Sequence, residues 1–230
     1  MLDPQDRIVM VSGAARGIGR ATADHLVAAG FRVSAGVREA RGLVPTDRLM
    51  VHRYDAESTE SAEAWLAATL ERWGALHALV NAAGINTAFA VDDPDETALD
   101  ALWTVNVKGP LRLSRLALPH LRACGTGRIV NVASLSGKRV SNPNAGYAMT
   151  KFAVVALTHA LRRAGWDDGV RATALCPGFV KTGMTAAAQF PRAQMTKPQD
   201  LAHMVEMLLR LPNTAVVAEL LVNCRLETVI

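Results

Sequence analysis

The sequence predicts an α/β fold in which one parallel β-sheet is covered by helices on both faces, a doubly wound sheet. Short apolar runs alternate along the chain with longer segments of helical periodicity, as strands and their crossover helices do. A glycine-rich turn separates the first apolar run from the first helical segment. The 230 residues are 50% hydrophobic and 20% charged, which suits one globular domain with a sizeable core. We therefore expect a single domain over residues 1–230.

The predicted strands are apolar runs bounded by turn residues. In chain order they are Ile8–Val11, Phe31–Val37, a strand that ends just before Asp55, Leu76–Val80, Arg128–Ala133, Val170–Cys176 and Val216–Val222. The predicted helices cover residues 17–29, 58–73, about 95–123, 145–164 and about 199–210, and Gly30 closes the first as a C-terminal cap. No linker, repeat or low-complexity stretch divides these elements.

Charge and cysteine content argue against several classes of protein. The formal net charge is +4, but the basic residues are scattered, without the runs typical of nucleic-acid or polybasic membrane binding. Cys124, Cys176 and Cys224 are far apart in the sequence, which favours free thiols in a reducing compartment. The polar N-terminus does not read as a signal peptide, and no apolar stretch reaches the roughly 20 residues of a membrane span. We expect a cytoplasmic protein that binds neither nucleic acid nor membrane.

The most informative residues are Tyr147 and Lys151, which are four apart on one predicted helix and so share a face. A phenol titrates near 10, and a nearby ammonium favours the phenolate and lowers that pKa. Ser134, at the end of an apolar strand, can donate a hydrogen bond to the same substrate oxygen. These residues predict a site that moves a proton on or off an oxygen. Because no Gly-x-Ser-x-Gly surrounds Ser134, a hydrolase is disfavoured.

Gly13, Gly17 and Gly19 fall in the turn between the first strand and the first helix. Glycines there serve either tight packing of strand on helix or close approach of the backbone to a pyrophosphate at the helix N-terminus. The position after the first strand favours a dinucleotide site. The segment Asn81-Ala82-Ala83-Gly84 follows another strand, at the sheet edge where ligands of such folds bind, although an ordinary Asn/Gly turn has the same composition.

Asn106 lies inside a long helical pattern, four residues before Pro110. Proline has no N–H, so the carbonyl of Asn106 loses its helical donor. Two interpretations remain open. The carbonyl holds a water beside Lys151 as a proton outlet, or the proline simply kinks the helix around its neighbours.

Taken together, these features resemble the short-chain dehydrogenase/reductase family over nearly the whole chain. The family's glycine motif matches Gly13, Gly17 and Gly19, with Ser12 where threonine is more usual, and its Asn-Asn-Ala-Gly motif matches Asn81, Ala82 and Gly84, with Ala83 as a departure. Its catalytic tetrad falls on Asn106, Ser134, Tyr147 and Lys151. Its Pro-Gly motif matches Pro177 and Gly178, followed by a segment similar to the one that contacts the nicotinamide carboxamide, with Val180 and Thr182.

The resemblance implies a Rossmann fold and a nicotinamide cofactor. The residues expected to bind it are Gly13, Arg16, Gly17, Ile18, Gly19, Arg38, Asp55, Asn81, Ala82, Gly84, Tyr147, Lys151, Pro177, Gly178, Val180 and Thr182. NAD-preferring relatives have an acid at the end of the second strand, where this chain has Val37 followed by Arg38. Because two guanidiniums, Arg16 and Arg38, can grip a 2′-phosphate, the prediction is NADP(H). Asp55 is expected either to accept from the adenine amino group or to serve as a helix N-terminal acid.

The expected function is NADP(H)-dependent interconversion of a ketone or aldehyde and an alcohol by hydride transfer, with Tyr147 as general acid/base. The alternatives are an NAD-dependent alcohol dehydrogenase and a non-catalytic NADP-binding sensor of the same fold. No metal site is expected, because the six histidines lack metal-ligand spacing. The resemblance also implies a homodimer or homotetramer, assembled through the helices near 95–123 and 145–164.

The sequence says less about the small-molecule substrate. An apolar pocket wall is expected from Phe89, Phe179, Met184, Phe190 and Met195, which suits a hydrophobic ketone, although such residues also anchor lids. Relatives that reduce 3-oxoacyl thioesters end in a Gly-Gly segment after the last strand. This chain instead has Val222-Asn223-Cys224-Arg225-Leu226-Glu227, which argues against that substrate.

Overall fold

Seven strands form one sheet in this computed structural model, which describes residues 1–226. They are β1 (Ile8–Ser12), β2 (Arg32–Val37), β3 (Leu49–Arg53), β4 (Ala78–Asn81), β5 (Arg128–Val132), β6 (Arg171–Pro177) and β7 (Glu219–Val222). Their order is β3-β2-β1-β4-β5-β6-β7, and all neighbouring pairs are parallel. The predicted parallel α/β sheet is confirmed.

Six α-helices cover the two faces of the sheet. They are α1 (Gly17–Ala28), α2 (Thr59–Trp73), α3 (Thr97–Trp103), α4 (Gly109–Ala123), α5 (Ala145–Gly165) and α6 (Pro198–Arg210). Successive strand residues face opposite sides, so Val9 and Val11 pack with α1 and α6, whereas Ile8 and Met10 pack with α2, α4 and α5. The sheet is therefore buried on both faces, and its polar groups collect at the carboxyl ends of the strands.

The long helix predicted near residues 95–123 is divided into α3, a π-helical turn (Thr104–Lys108) and α4. The N–H of Gly109 donates to the carbonyl of Thr104, five residues back, next to Pro110, which has no N–H to donate. The proline therefore changes the hydrogen-bond pattern while the chain continues as a helix.

Two short elements also differ from the predictions. The last strand is shorter than the predicted Val216–Val222, because only Glu219–Val222 pairs with β6. Two 3-10 turns, Leu135–Gly137 and Arg192–Gln194, lie in the segments that follow β5 and β6.

Within residues 1–226, no helix has both the length and the apolarity needed to cross a bilayer. Glu227, the last residue of the C-terminal motif considered above, lies outside the described residues.

Candidate functional site

A cleft of about 680 Å³ runs along the carboxyl ends of the strands. Its walls are the β1–α1 turn, the ends of β2 and β3, the loop after β4, the start of the segment after β5, one face of α5 and the segment after β6. The predicted site residues that line it are Gly13, Arg16, Gly17, Ile18, Gly19, Arg38, Asp55, Ala82, Gly84, Ser134, Tyr147, Lys151, Pro177, Gly178, Val180 and Thr182. Asn81 and Asn106 are absent from this lining and have other contacts.

The glycine turn combines both roles considered for it. A Cβ on Gly13, whose φ is +68°, would lie 2.8 Å from the Ala83 nitrogen, and a Cβ on Gly19 would lie 2.4 Å from the Gly13 oxygen. These two glycines therefore permit tight packing. Gly17 faces Thr182, whose Cγ2 would lie 3.3 Å from an added Cβ. Arg16, the N-cap of α1, makes no side-chain capping bond, so the first turn presents its N–H groups as an anion site would.

Ser12 fixes the loop after β4 against this turn. Its hydroxyl oxygen accepts from the backbone N–H groups of Ala82 at 3.1 Å and Ala83 at 3.2 Å. The sheet register pairs Ser12 with Asn81, so the hydroxyl stands beside the point where β4 ends. Serine therefore supplies the acceptor that holds one side of the cleft in place, and a threonine hydroxyl would do the same.

The Asn81 side chain lies inside the protein instead of in the cleft. Its amide donates to Asn131 Oδ1 at 2.8 Å and to Ser114 Oγ at 3.1 Å, and the Asn131 amide donates to Thr158 Oγ1 at 2.8 Å. Asn131, Ser114 and Thr158 are fully buried. Hydrogen bonding within such a group is what makes its burial tolerable. Asn81 therefore positions the loop whose backbone, at Ala82 and Gly84, faces the cleft.

Asn106 has a similar positioning role through its side chain. Its Oδ1 accepts from the Ile85 N–H at 2.9 Å, and its Nδ2 donates to the Ile85 carbonyl at 3.0 Å and to Thr150 Oγ1 at 3.2 Å. The π-helical turn places this amide between the loop after β4 and Thr150 of α5, the residue before Lys151. The side chain is thus occupied in holding the loop, and a water on the main-chain carbonyl of Asn106 stays a prediction.

Ser134, Tyr147 and Lys151 meet in the cleft as the spacing predicts. Ser134 accepts from the Ser136 N–H at 3.0 Å, donates to the Pro177 carbonyl at 3.4 Å and hydrogen-bonds Tyr147. The Lys151 ammonium donates to the Val132 carbonyl at 2.9 Å and stands 5.5 Å from the centre of the Tyr147 ring. A hydroxyl, a phenol and an ammonium therefore converge where β5 ends.

The pKa values of this group depart from the sequence prediction. Burial raises the pKa of Tyr147 to about 12, and the hydrogen bond between Tyr147 and Ser134 only partly opposes this rise. Burial lowers the pKa of Lys151 to about 8. Lys151 is not among the groups that lower the tyrosine's pKa here, so the expectation that its charge brings the phenol near neutrality is not met. In this state the phenol keeps its proton at neutral pH, which is the form that a proton donor needs.

The lowered pKa of Lys151 gives a stability prediction. Below about pH 8 the folded protein holds a buried ammonium, whereas above the unfolded value of 10.5 neither state carries the charge. Lys151→Met is therefore expected to raise the free energy of unfolding at pH 7 by about 2 kcal/mol. Removing the buried charge gains about 3 kcal/mol, which corresponds to the difference between the folded and unfolded pKa values. Losing the hydrogen bond to the Val132 carbonyl costs about 1 kcal/mol of this gain. The gain should shrink as pH rises from 8 towards 10.5. Urea unfolding at pH 7 and 9.5 measures it.

The exposed Lys181, which does not line the cleft, supplies the control for this comparison. Lys181→Met removes the same charge without burial, so its stability should stay within about 0.5 kcal/mol of the wild type at both pH values. A Lys151→Met protein that is less stable than the wild type at pH 7 would contradict the burial cost.

The end of the cleft beyond β2 is rich in arginine. Arg38 follows Val37 there, as predicted, and Arg16 lies on the adjoining turn. Arg41 and Arg53 also line this end, and all four side chains are exposed. The sequence interpretation missed Arg41 and Arg53, because they become neighbours only when the ends of β2 and β3 are paired. Glu39 lies there too, in an ion pair with Arg41 at 3.3 Å.

Asp55 lines the same end of the cleft and accepts from the Glu57 N–H at 3.1 Å. The N-cap of α2 is Ser58, which accepts from the Ser61 N–H, so Asp55 does not cap the helix. Contact with an adenine therefore stays a prediction.

The cleft near Tyr147 is more polar than the predicted apolar wall. Phe179 and Met184 line it, but Phe89, Phe190 and Met195 do not. The remaining side chains at this end include a set of hydroxyl, amide and guanidinium groups, namely Ser136, Arg139, Ser141, Asn142, Asn144, Asn223 and Arg225. Of the five residues expected to form an apolar wall, only Phe179 and Met184 line the cleft, and they share it with these polar groups. These residues fall on irregular segments, where no periodicity marks which side chains turn inwards.

The motifs in this cleft agree with a direct comparison of the sequence. A family profile described as short chain dehydrogenase matches residues 7–192. The chain belongs to the short-chain dehydrogenase family. Enzymes of this family are oxidoreductases that use nicotinamide cofactors. Among residues 1–226, no group of three or more His, Cys, Asp or Glu side chains is arranged to hold a metal ion.

Several individual proteins of this kind are similar to the chain. Agropine synthesis reductase of Rhizobium rhizogenes is 38% identical over 232 residues, which cover 98% of this chain and 54% of the relative. The chain thus spans about half the length of that protein. An alcohol dehydrogenase from Thermococcus sibiricus, complexed with 5-hydroxy-NADP, superposes with a TM-score of 0.86 at 27% identity, covering 97% of this chain and 100% of that chain.

A 3-ketoacyl-(acyl-carrier-protein) reductase from Brucella melitensis, complexed with NADH, gives a TM-score of 0.87 at 24% identity, covering 96% of this chain and 98% of that chain. At this level of identity the likeness shows the fold alone. The Rossmann-type sheet of this chain is therefore shared by short-chain dehydrogenases that differ in the nucleotide bound.

Proposed function

We propose that this short-chain dehydrogenase interconverts a ketone or aldehyde and an alcohol with NADP(H), and that Tyr147 exchanges the proton. The observation that carries the proposal is the meeting of Ser134, Tyr147 and Lys151 in one cleft with the glycine turn. A proton donor, a hydrogen-bond donor for a developing oxyanion and a cation are the groups that carbonyl reduction requires.

The residues present fit a dinucleotide. The close packing of Gly13 and Gly19 leaves the first turn of α1 open to the cleft, where a diphosphate would be stabilised. The four arginines beyond β2 suit a 2′-phosphate, because a guanidinium binds phosphate oxygens with paired, charge-assisted bonds. When bound, NADP(H) supplies or accepts the hydride. The NADP analogue in the Thermococcus sibiricus relative supports this choice.

In the reducing direction, the Tyr147 hydroxyl donates its proton to the substrate oxygen, and Ser134 donates a hydrogen bond to the same oxygen. The raised pKa of Tyr147 keeps the phenol protonated for this step. Lys151, held by the Val132 carbonyl, then stabilises the phenolate that is left. A water on the Asn106 carbonyl would return the proton, while the Asn106 side chain keeps the Ile85 loop in position.

The two alternatives make different predictions. An NAD-dependent alcohol dehydrogenase would favour NADH, which an acid at the end of β2 would explain. Val37 occupies that place, and the acid two residues later, Glu39, pairs with Arg41. A non-catalytic sensor would bind nucleotide without using the Tyr147 proton.

Calorimetry with NADPH and NADH, followed by assays of a panel of carbonyls and alcohols with both nucleotides, separates these three functions. We expect tighter binding of NADPH and steady carbonyl-dependent oxidation of it. Binding without turnover of any substrate would support the sensor.

We further propose that the chain self-associates through α4 and α5. Leu111 on α4 and Met149 and Phe152 on α5 are large apolar side chains with exposures of 41%, 46% and 44%. A dimer or tetramer would bury them. Light scattering after gel filtration tests this directly, and a monomer at micromolar concentration would contradict it.

A further inference from the structure

The loop after β4 and the first turn of α5 meet at one side of the cleft. Residues 82–89 of the loop form neither helix nor strand, and residues 82–86 line the cleft. Tyr147, three residues after the N-cap of α5, lines the same space. The spacing between loop and helix therefore sets where a substrate can lie relative to the Tyr147 hydroxyl.

The side-chain amide of Asn144 joins these two elements. Asn144 is the N-cap of α5, and its Oδ1 accepts from the Tyr147 N–H at 3.4 Å and from the Phe89 N–H at 3.2 Å. Its Nδ2 donates to Asn86 Oδ1 at 2.9 Å and to the Thr87 carbonyl at 3.1 Å. An asparagine amide has two donor hydrogens and an oxygen with two lone pairs, so these four bonds use its full capacity. The amide is therefore fixed in one orientation, because turning it over would place its NH₂ group against two N–H donors.

The flanking parts of the loop are held in other ways. Phe89 is buried, and its carbonyl accepts from the Gly146 N–H of α5 at 3.3 Å. Ile85 is held by the amide of the π-helical turn. Between them residues 86–88 are exposed, and within the described part of the chain the hydrogen bonds to residues 86 and 87 come from Asn144 alone. The place of this exposed stretch therefore depends on one side chain.

We propose that Asn144 is a positioning residue, which fixes residues 86–89 against the first turn of α5 and so sets the place of the substrate relative to Tyr147. This inference rests on the proposed reductase function and adds a residue to it. A misplacement of about 1 Å can slow a reaction by about 10²-fold, because the reacting atoms must lie within a narrow range of distances. A helix cap alone would not act in this way, since it stabilises the helix without fixing the loop.

Substitutions of Asn144 separate the helix cap from the loop bonds. Asn144→Ser and Asn144→Asp keep an oxygen of the kind that caps helices well, but both remove the two amide donors. We expect each to lower the single-turnover rate of NADPH oxidation, at saturating nucleotide and carbonyl substrate, by about 10–10²-fold. An effect shared by the two variants does not come from charge, which only the aspartate introduces. NADPH affinity, measured by calorimetry, should stay nearly unchanged, because the glycine turn is left intact.

Ser58→Ala is the matched control. Ser58 is the N-cap of α2, accepts from the Ser61 N–H at 3.0 Å and does not line the cleft. Its loss removes a helix cap, so the thermal unfolding midpoint should fall at least as far as in Asn144→Ser, while the single-turnover rate stays at the wild-type value. Asn86→Ala completes a double-mutant cycle. It should slow the wild-type enzyme but have no further effect in Asn144→Ser, where the bond that it removes is already absent.

Three results would overturn the assignment. The first is a wild-type single-turnover rate in Asn144→Ser or in Asn144→Asp. The second is an equal loss of rate in Ser58→Ala, which would point to a general loss of stability. The third is the same effect of Asn86→Ala in both backgrounds, which would make Asn86 a direct substrate contact. Failure of the reductase proposal looks different, because then the wild-type protein reduces no carbonyl with either nucleotide, and the role of Asn144 fails with it.

Discussion

Tyr147→Phe is expected to lower kcat for carbonyl reduction by about 10²–10⁴-fold, the contribution typical of a positioned general acid. The substitution removes one hydroxyl and keeps the ring, so the packing of α5 and the position of Lys151 should persist. NADPH affinity should therefore stay nearly unchanged. Single-turnover mixing measures the hydride step, and calorimetry of the same variant measures nucleotide binding.

The chain's other tyrosine supplies the matched control. Tyr54 packs its ring against Trp65, with centroids 4.8 Å apart, and lies after β3 instead of on α5. Tyr54→Phe should keep substantially all of the turnover. Retained turnover in Tyr147→Phe would mean that another group donates the proton, and the roles assigned to Ser134 and Lys151 would then fail as well.

A second large effect is expected at the arginine-rich end of the cleft. The double variant Arg16→Gln/Arg38→Gln should weaken NADPH binding by about 10²-fold, if each lost charge-assisted bond contributes about 1.5 kcal/mol. NADH lacks the 2′-phosphate, so its affinity should change little. Titration of each protein with both nucleotides, at low and at high salt, gives the ratio of the two dissociation constants.

Arg32→Gln supplies the control, because Arg32 lies at the start of β2, away from the cleft, and pairs with Asp6 at 3.0 Å. If the double variant lost affinity for NADH and NADPH equally, the two arginines would bind a part common to both nucleotides. If it lost neither, Arg41 and Arg53 would be the phosphate ligands.

The fold, and the meeting of Ser134, Tyr147 and Lys151 in one cleft, are predictable from the sequence because both depend on local patterns. The alternation of apolar runs and helical periodicity predicted the parallel sheet, and a four-residue spacing placed Tyr147 and Lys151 on one face of α5. The proline at position 110 signalled an irregular helix, although a π-helical turn was not anticipated. Periodicity, residue spacing and a proline within a helix can be recognised in the sequence because residues close together in the chain determine these local structures.

Contacts between distant segments were not predictable in the same way. The bond between Asn81 and Asn131 depends on the register of β4 and β5, so Asn81 was expected to bind cofactor although its side chain holds the sheet. The polar character of the pocket depends on irregular loops that bring Arg139 and Arg225 to one cleft. The raised pKa of Tyr147 has a related cause, since the burial that raises it depends on how distant segments pack around α5.

Deuterium tracing tests the central claim most directly. NADPH carrying deuterium at C4 of the nicotinamide, on one face and then on the other, is incubated with the enzyme and a panel of ketones and aldehydes. The account predicts deuterium on the carbinol carbon of the alcohol from one labelled face only, in amounts equal to the NADPH consumed. With Tyr147→Phe, the labelled alcohol should form at least about 10²-fold more slowly. Alcohol formed without the label, or NADPH bound but never oxidised with any carbonyl, would contradict it.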